Sequence, residues 1–132
     1  MSVKLVLAAA LLGWSSGWAQ DVKLIPSIQG PALYKAYCAS CHGVDAKGNG
    51  PMAESLKVRP SDLTRISARN AGTFPLMQIE RMIQGEGQLQ KGHGPREMPV
   101  WGPIFSRVED DRDIGLVRID NLARYLRDLQ TK

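Results

Sequence analysis

Apolar residues in this chain recur mostly at three- and four-residue intervals, and period-two alternation is nearly absent. The pattern predicts an all-α fold, with helices joined by loops. A first helix is predicted over 30–41, where Pro31 suits the first turn and Leu33, Tyr34 and Tyr37 share a face. Residues 43–50 are rich in Gly, Asp and Asn and read as a loop. Short helices are predicted over 52–57 and 61–68, with Ser61 the candidate cap after Pro60. Another covers 73–84: Thr73 can cap it, Leu76, Ile79, Met82 and Ile83 form one stripe, and Gly85 ends it. A last helix is predicted over 117–129. Ile119, Leu122, Ala123, Leu126 and Leu129 form its buried stripe, and Arg118, Arg124, Arg127 and Asp128 fall outside it.

Two segments break this rhythm. Residues 85–103 hold five glycines and three prolines, which argues against a regular helix or a central strand. So long a strap exceeds the usual loop length, which favours either function or disorder. At the other end, Lys4 precedes an unbroken apolar run over 5–12, and a small-residue stretch ends at Ala19. This reads as an export signal over 1–19, cleaved after Ala19, followed by an extended leader over 20–29. The run is too short to span a bilayer, so the cleaved chain is not expected to be anchored.

The full chain has 132 residues and a formal charge of +4, enough for one domain, expected over 30–132. Removing the signal leaves 113 residues and a charge of +3. Lys and Arg do not form the dense stripe of a nucleic-acid binder, and no recognition motif accompanies them. Only six aromatic residues remain in the mature part, a thin supply for a core of this size. A large apolar cofactor would make up the shortfall.

The chemistry concentrates in Cys38-Ala39-Ser40-Cys41-His42. Two thiols three positions apart can each add to a vinyl group of one haem, and the adjacent histidine is then held beneath the iron. This is the c-type attachment pattern, and it needs both cysteines and that histidine. Three other readings compete. A Cys38–Cys41 disulfide would close a very short loop and stabilise little. A thioredoxin-like pair expects a βαβ pattern that is missing. A zinc site would have to combine Cys38, Cys41, His42 and His93, with adjacent residues in one tetrahedron and the wrong spacing.

With the motif in hand, the chain resembles the monohaem class I cytochromes c, from Gly30 to the final helix. That family sets a glycine and an aromatic residue of the first helix against an aromatic residue of the last; Gly30, Tyr34 and Tyr125 match. Its Gly-Pro after the haem histidine matches Gly50-Pro51, and its Met-Pro before the last helix matches Met98-Pro99. The resemblance implies the class I fold around one haem c bound by two thioethers through Cys38 and Cys41. His42 is then the proximal ligand of the iron. The ring N–H of a ligating histidine needs an acceptor, which the resemblance makes the carbonyl of Pro51. Pro51 also reads as an ordinary turn proline.

The sixth ligand is chosen from few candidates. Met98 lies in the strap, where a large apolar side chain needs a destination, and a soft thioether favours Fe(II). Met52, Met77 and Met82 fall on predicted helices, and Met77 and Met82 read as packing residues. His93 is the other competitor, among glycines. Trp101 follows Met98 closely enough to wall a haem and reach a propionate, or it is a core residue. Arg59 also reads as a propionate partner, and Leu56 and Leu63 as wall or core.

No other constellation supplies a reaction, so the chain is read as no enzyme. The expected function is an exported, periplasmic, soluble and monomeric carrier of single electrons between redox proteins. Residues 23–69 carry seven basic and three acidic side chains, which would steer an acidic partner. The alternatives are a haem-based sensor of small gases and a subunit of a periplasmic oxidoreductase complex.

Overall fold

The computed structural model describes residues 24–86, 98–107 and 112–131. The expected signal over 1–19 and the strap residues 87–97, His93 among them, lie outside the described residues. Within them the chain is helical and forms no strand: α1 (Gly30–Tyr37), α2 (Ala39–His42), α3 (Ile66–Arg69), α4 (Leu76–Gln84), α5 (Trp101–Arg107) and α6 (Arg112–Asp128). Two 3-10 turns, Ala53–Ser55 and Leu63–Arg65, interrupt the loop between α2 and α3. Among the described residues no helix is long and apolar enough to cross a membrane.

The frame is α6 packed against α1, α4 and α5. Gly30 opens α1 where a Cβ would stand 2.5 Å from the Asn121 carbonyl oxygen and 2.7 Å from Tyr125 Cβ. Only glycine admits so close a crossing. One turn on, the rings of Tyr34 and Tyr125 meet at 5.5 Å and 57°. The Gly30, Tyr34 and Tyr125 grouping implied by the resemblance is therefore present. Leu33, Phe105, Ile119, Leu122 and Ala123 are buried around this crossing. The segment before α1 joins the same body. Leu24 is buried, the Ile25 N–H donates to the Tyr37 hydroxyl at 2.7 Å, and Asn121 Nδ2 donates to the Ile28 carbonyl at 2.9 Å.

Several element boundaries differ from expectation, each for a local reason. The helix predicted over 30–41 is broken at Cys38, which ends α1 and caps α2. The helix predicted over 73–84 begins at Leu76, because Pro75 disfavours helical backbone at Phe74. Its end is as expected: Gly85 is left-handed at φ +83°, its N–H donates to the Met82 carbonyl, and the Glu86 N–H donates to the Arg81 carbonyl. In place of a helix over 61–68 there is a 3-10 turn running into α3. Asp62, rather than Ser61, caps the turn, since its carboxylate accepts both the Thr64 N–H at 2.9 Å and the Thr64 hydroxyl at 2.6 Å.

The strap does not stay irregular to residue 103. Helix α5 starts at Trp101, with Pro103 in its first turn, where a missing N–H removes no helical bond. Helix α6 begins at Arg112, five residues earlier than expected. Gly115 faces Ser106, and a Cβ there would lie 2.7 Å from Ser106 Oγ, so α5 and α6 pack closely. That approach overturns the expected exposure of Arg118, which is 1% exposed. Arg118 shares a face with Gly115 and Leu122, and its Nη1 donates to the Phe105 carbonyl at 3.4 Å, near the end of α5, where helix carbonyls need donors. Met77, expected to pack, is 76% exposed on the outer face of α4, whereas Ile79 and Ile83 are buried.

Candidate cofactor-attachment site

The CxxCH motif sits on the break between α1 and α2. The Cys38 N–H donates to the Tyr34 carbonyl at 2.9 Å, and the Cys38 carbonyl accepts from the His42 N–H at 2.9 Å. One residue thus ends one helix and starts the next, and both cysteines and the histidine fall within one turn. Cys38 and Cys41 are free thiols, each half-buried. Burial, with Cys41 next to it, pushes the Cys38 thiol up to about 12. A redox-active CxxC needs surroundings that stabilise a thiolate, and burial at Cys38 does the reverse. Among the described residues no group of three or more His, Cys, Asp or Glu could hold a metal ion, and His93, the fourth residue of the zinc reading, lies outside them.

The loop after His42 folds back onto the motif and grips its backbone. The Gly48 N–H donates to the His42 carbonyl at 2.8 Å, the Gly50 N–H to the Cys41 carbonyl at 3.1 Å, and the Met52 N–H to the Ser40 carbonyl at 2.9 Å. Gly50 lies so close that a Cβ would run into the carbonyls of Ser40 and Ala39. On the other side, the buried Tyr34 hydroxyl donates to the Gly43 carbonyl at 2.7 Å. Burial raises the Tyr34 phenol above its ordinary value, so it stays a donor at neutral pH.

His42 Nδ1 lies 3.1 Å from the carbonyl oxygen of Ser61. A carbonyl only accepts, so this contact requires the proton on Nδ1 and leaves the imidazole lone pair on Nε2. That is the tautomer a metal-ligating histidine needs when Nε2 faces the metal. Ser61 is a different acceptor from the Pro51 carbonyl that the resemblance implies, and the sequence reading missed it. A backbone oxygen carries no sequence signal of its own. The Ser61 position is fixed from its C-terminal side: the Leu63 N–H donates to the Ala46 carbonyl at 2.7 Å, and Asp62 holds Thr64.

Pro51 is exposed and lines a cavity of about 560 Å³ with Asn49, Gly50, Ala53, Glu54, Leu56 and Arg59. The structure therefore brings Pro51, Leu56 and Arg59 together on one wall beside the motif. Leu63 is half-buried against the core rather than on this wall. Arg59 Nε reaches back to the Gly48 carbonyl at 3.4 Å.

Trp101 is half-buried in an aromatic cluster, 5.1 Å from the Tyr37 ring and stacked on Phe105 at 5.4 Å. Since Tyr37 immediately precedes Cys38, this cluster backs the motif from the side of α1. Met98, within the strap, is 38% exposed and is the first residue described after position 97. Two residues later, Val100 covers Gly85 so closely that a Cβ there would strike its methyl groups. That contact ties the end of the strap to the end of α4. Of the rival methionines, Met52 and Met77 are exposed and Met82 is half-buried on α4.

The donor set fits a covalently attached haem: two unpaired thiols at the right spacing, and a histidine in the ligating tautomer. Comparison with known proteins agrees. A family model described as cytochrome C oxidase, cbb3-type, subunit III matches residues 28–117, from just before α1 into α6. No curated protein and no solved structure matches the chain.

Proposed function

Because the chain belongs to the family described as cytochrome C oxidase, cbb3-type, subunit III, a c-type cytochrome domain with covalently bound haem c, we propose that it is an exported, soluble carrier of single electrons. Membership makes it an electron-transfer domain. The haem supplies the one-electron chemistry when bound, and the protein attaches, orients and tunes it. In this reading Cys38 and Cys41 form the thioethers, His42 is the proximal ligand and Met98 the distal one. Pro51 and Trp101 flank the group, and the chain performs no substrate chemistry of its own.

The observation that carries the reading is the contact of His42 Nδ1 with the Ser61 carbonyl, one residue from a free, half-buried Cys41. Support for a periplasmic location comes from the signal-like segment at 1–19. Lys35, Lys47, Lys57 and Arg59 are all exposed, which supports acidic redox partners for a monomer. The test is expression with a haem-attachment system, followed by intact mass and absorption spectra of both redox states. The expected result is a mass increment of one haem that survives denaturation, and in the ferric state the weak near-infrared band of methionine ligation. A protein without bound haem, or one lacking that band, overturns the corresponding part.

A second reading has its own support. The family description names an oxidase subunit, which favours a dedicated electron-transfer subunit of a larger complex. Size-exclusion chromatography of the natively expressed protein separates the two: a free carrier elutes as a monomer, a subunit with its complex.

A further inference from the structure

Gln130 stands just beyond α6 at a junction of backbone groups. Its Nε2 donates to the Leu126 carbonyl at 2.7 Å and to the Leu63 carbonyl at 2.8 Å, and its Oε1 accepts from the Ser67 N–H at 2.8 Å. Both amide protons and the amide oxygen are engaged at once. The neighbouring Thr131 N–H donates to the Thr64 carbonyl at 3.0 Å. The end of the last helix thus fastens residues 63–67 at three backbone positions, more than sixty residues away in sequence. The fastened segment begins two residues after Ser61, whose carbonyl faces His42 Nδ1 at 3.1 Å.

We infer that Gln130 is a positioning residue for His42: it sets the backbone segment that aims the Ser61 carbonyl at the imidazole. The inference rests on the reading of His42 as the proximal ligand. A well-aimed carbonyl draws on the Nδ1 proton, gives the ring more imidazolate character and makes Nε2 a stronger donor. A stronger donor favours Fe(III), so a loosened Ser61 carbonyl raises the reduction potential. No other common side chain of this length offers two donors and an acceptor in one plane. Glutamate keeps only the acceptor, and methionine keeps neither.

The experiment uses the haem-loaded full chain. The wild type is first checked for covalent haem, and Gln130→Met, Gln130→Glu and Asn121→Ala are then compared with it. Asn121→Ala is the control, since it removes another long-range bond of α6, to the Ile28 carbonyl, away from the 61–67 segment. Two quantities are read: the reduction potential, and solvent exchange of the His42 Nδ1 proton by NMR of the reduced protein. Both Gln130 variants are expected to raise the potential and speed exchange about tenfold, with Asn121→Ala near wild type in both. If Gln130→Met does not fold, Gln130→Glu, which keeps the bond from Ser67, carries the comparison. A wild type without covalent haem overturns the underlying reading and this inference with it. A haem-loaded wild type matched by its Gln130 variants overturns the inference alone, as does an Asn121→Ala shift of equal size.

Discussion

The hydroxyl of Tyr34 donates to the carbonyl of Gly43 across 2.7 Å, tying the first helix to the residue immediately after His42. The same ring packs on Tyr125 of the last helix. One side chain therefore joins the helix crossing that stabilises the fold to the turn that shapes the candidate haem site. Replacing Tyr34 by Phe keeps the ring contact and leaves a buried carbonyl without this donor. The expected loss is about 1–2 kcal/mol of unfolding free energy, read from denaturant midpoints at unchanged helix content. A variant as stable as wild type shows that the bond contributes nothing net.

The thiols provide a direct test of attachment. The double variant Cys38→Ser, Cys41→Ser is expected to carry no covalent haem and to lose most of its stable tertiary structure. The six aromatic residues of the expected mature chain leave its core short of apolar surface. Intact mass and near-ultraviolet circular dichroism check the two parts separately. A well-folded double variant without haem means that the cofactor is no part of the core.

Acid titration probes the segment beside His42. Hydrogen bonding from the Thr64 hydroxyl, opposed by partial burial and aided by the Thr64 N–H and by Arg69 and Arg65, holds the Asp62 carboxyl below its ordinary value of 3.8. A depressed folded-state value means the folded protein binds the proton less readily than the unfolded chain. The stabilisation is thus complete above the ordinary carboxylate value and fades as pH falls through it toward the folded value. Asp62→Ala is expected to cost about 1 kcal/mol at neutral pH, the usual worth of such a cap. Its stability is expected to converge on wild type in acid. Urea midpoints at both pH values measure this, and a constant gap across the range would show that ionisation of Asp62 is irrelevant.

The parts of this site that were legible in the sequence are those that depend on side-chain identity at short spacing. The CxxCH run, the stop at Gly85, and the matched Gly30, Tyr34 and Tyr125 all have side-chain or no-side-chain requirements that sequence displays directly. What was hidden depends on backbone atoms or on distant partners. The Ser61 carbonyl is available from any residue type, and Gln130 acquires its role only when α6 meets residues 63–67. Arg118 looked like a surface charge because charge usually is, yet its spacing to Leu122 already set it on the buried face. Helix α5 was masked by Gly102 and Pro103, which discourage a helix in general but are tolerated in a first turn.

The distal ligand separates an electron carrier from a gas sensor. Met98 is favoured because it precedes Pro99 in a strap whose end is tied to α4 through Val100 over Gly85. A thioether stabilises Fe(II), and a firmly held one keeps small gases out of the sixth position. Met98→Ala is expected to abolish the methionine band and leave the iron five-coordinate or water-bound. Met98→His is expected to keep six ligands and lower the potential, since imidazole favours Fe(III) more than a thioether does. His93→Ala is expected to change neither spectrum nor potential, and spectroelectrochemistry of the three variants beside wild type makes the comparison. Loss of the ferric spectrum in His93→Ala, with Met98→Ala like wild type, would exchange the two assignments. Carbon monoxide then tests the sensor directly: a reduced wild type that resists it at neutral pH has a closed sixth position and works as a carrier. One that binds it as readily as Met98→Ala has a labile position, and gas binding becomes the better account of the site.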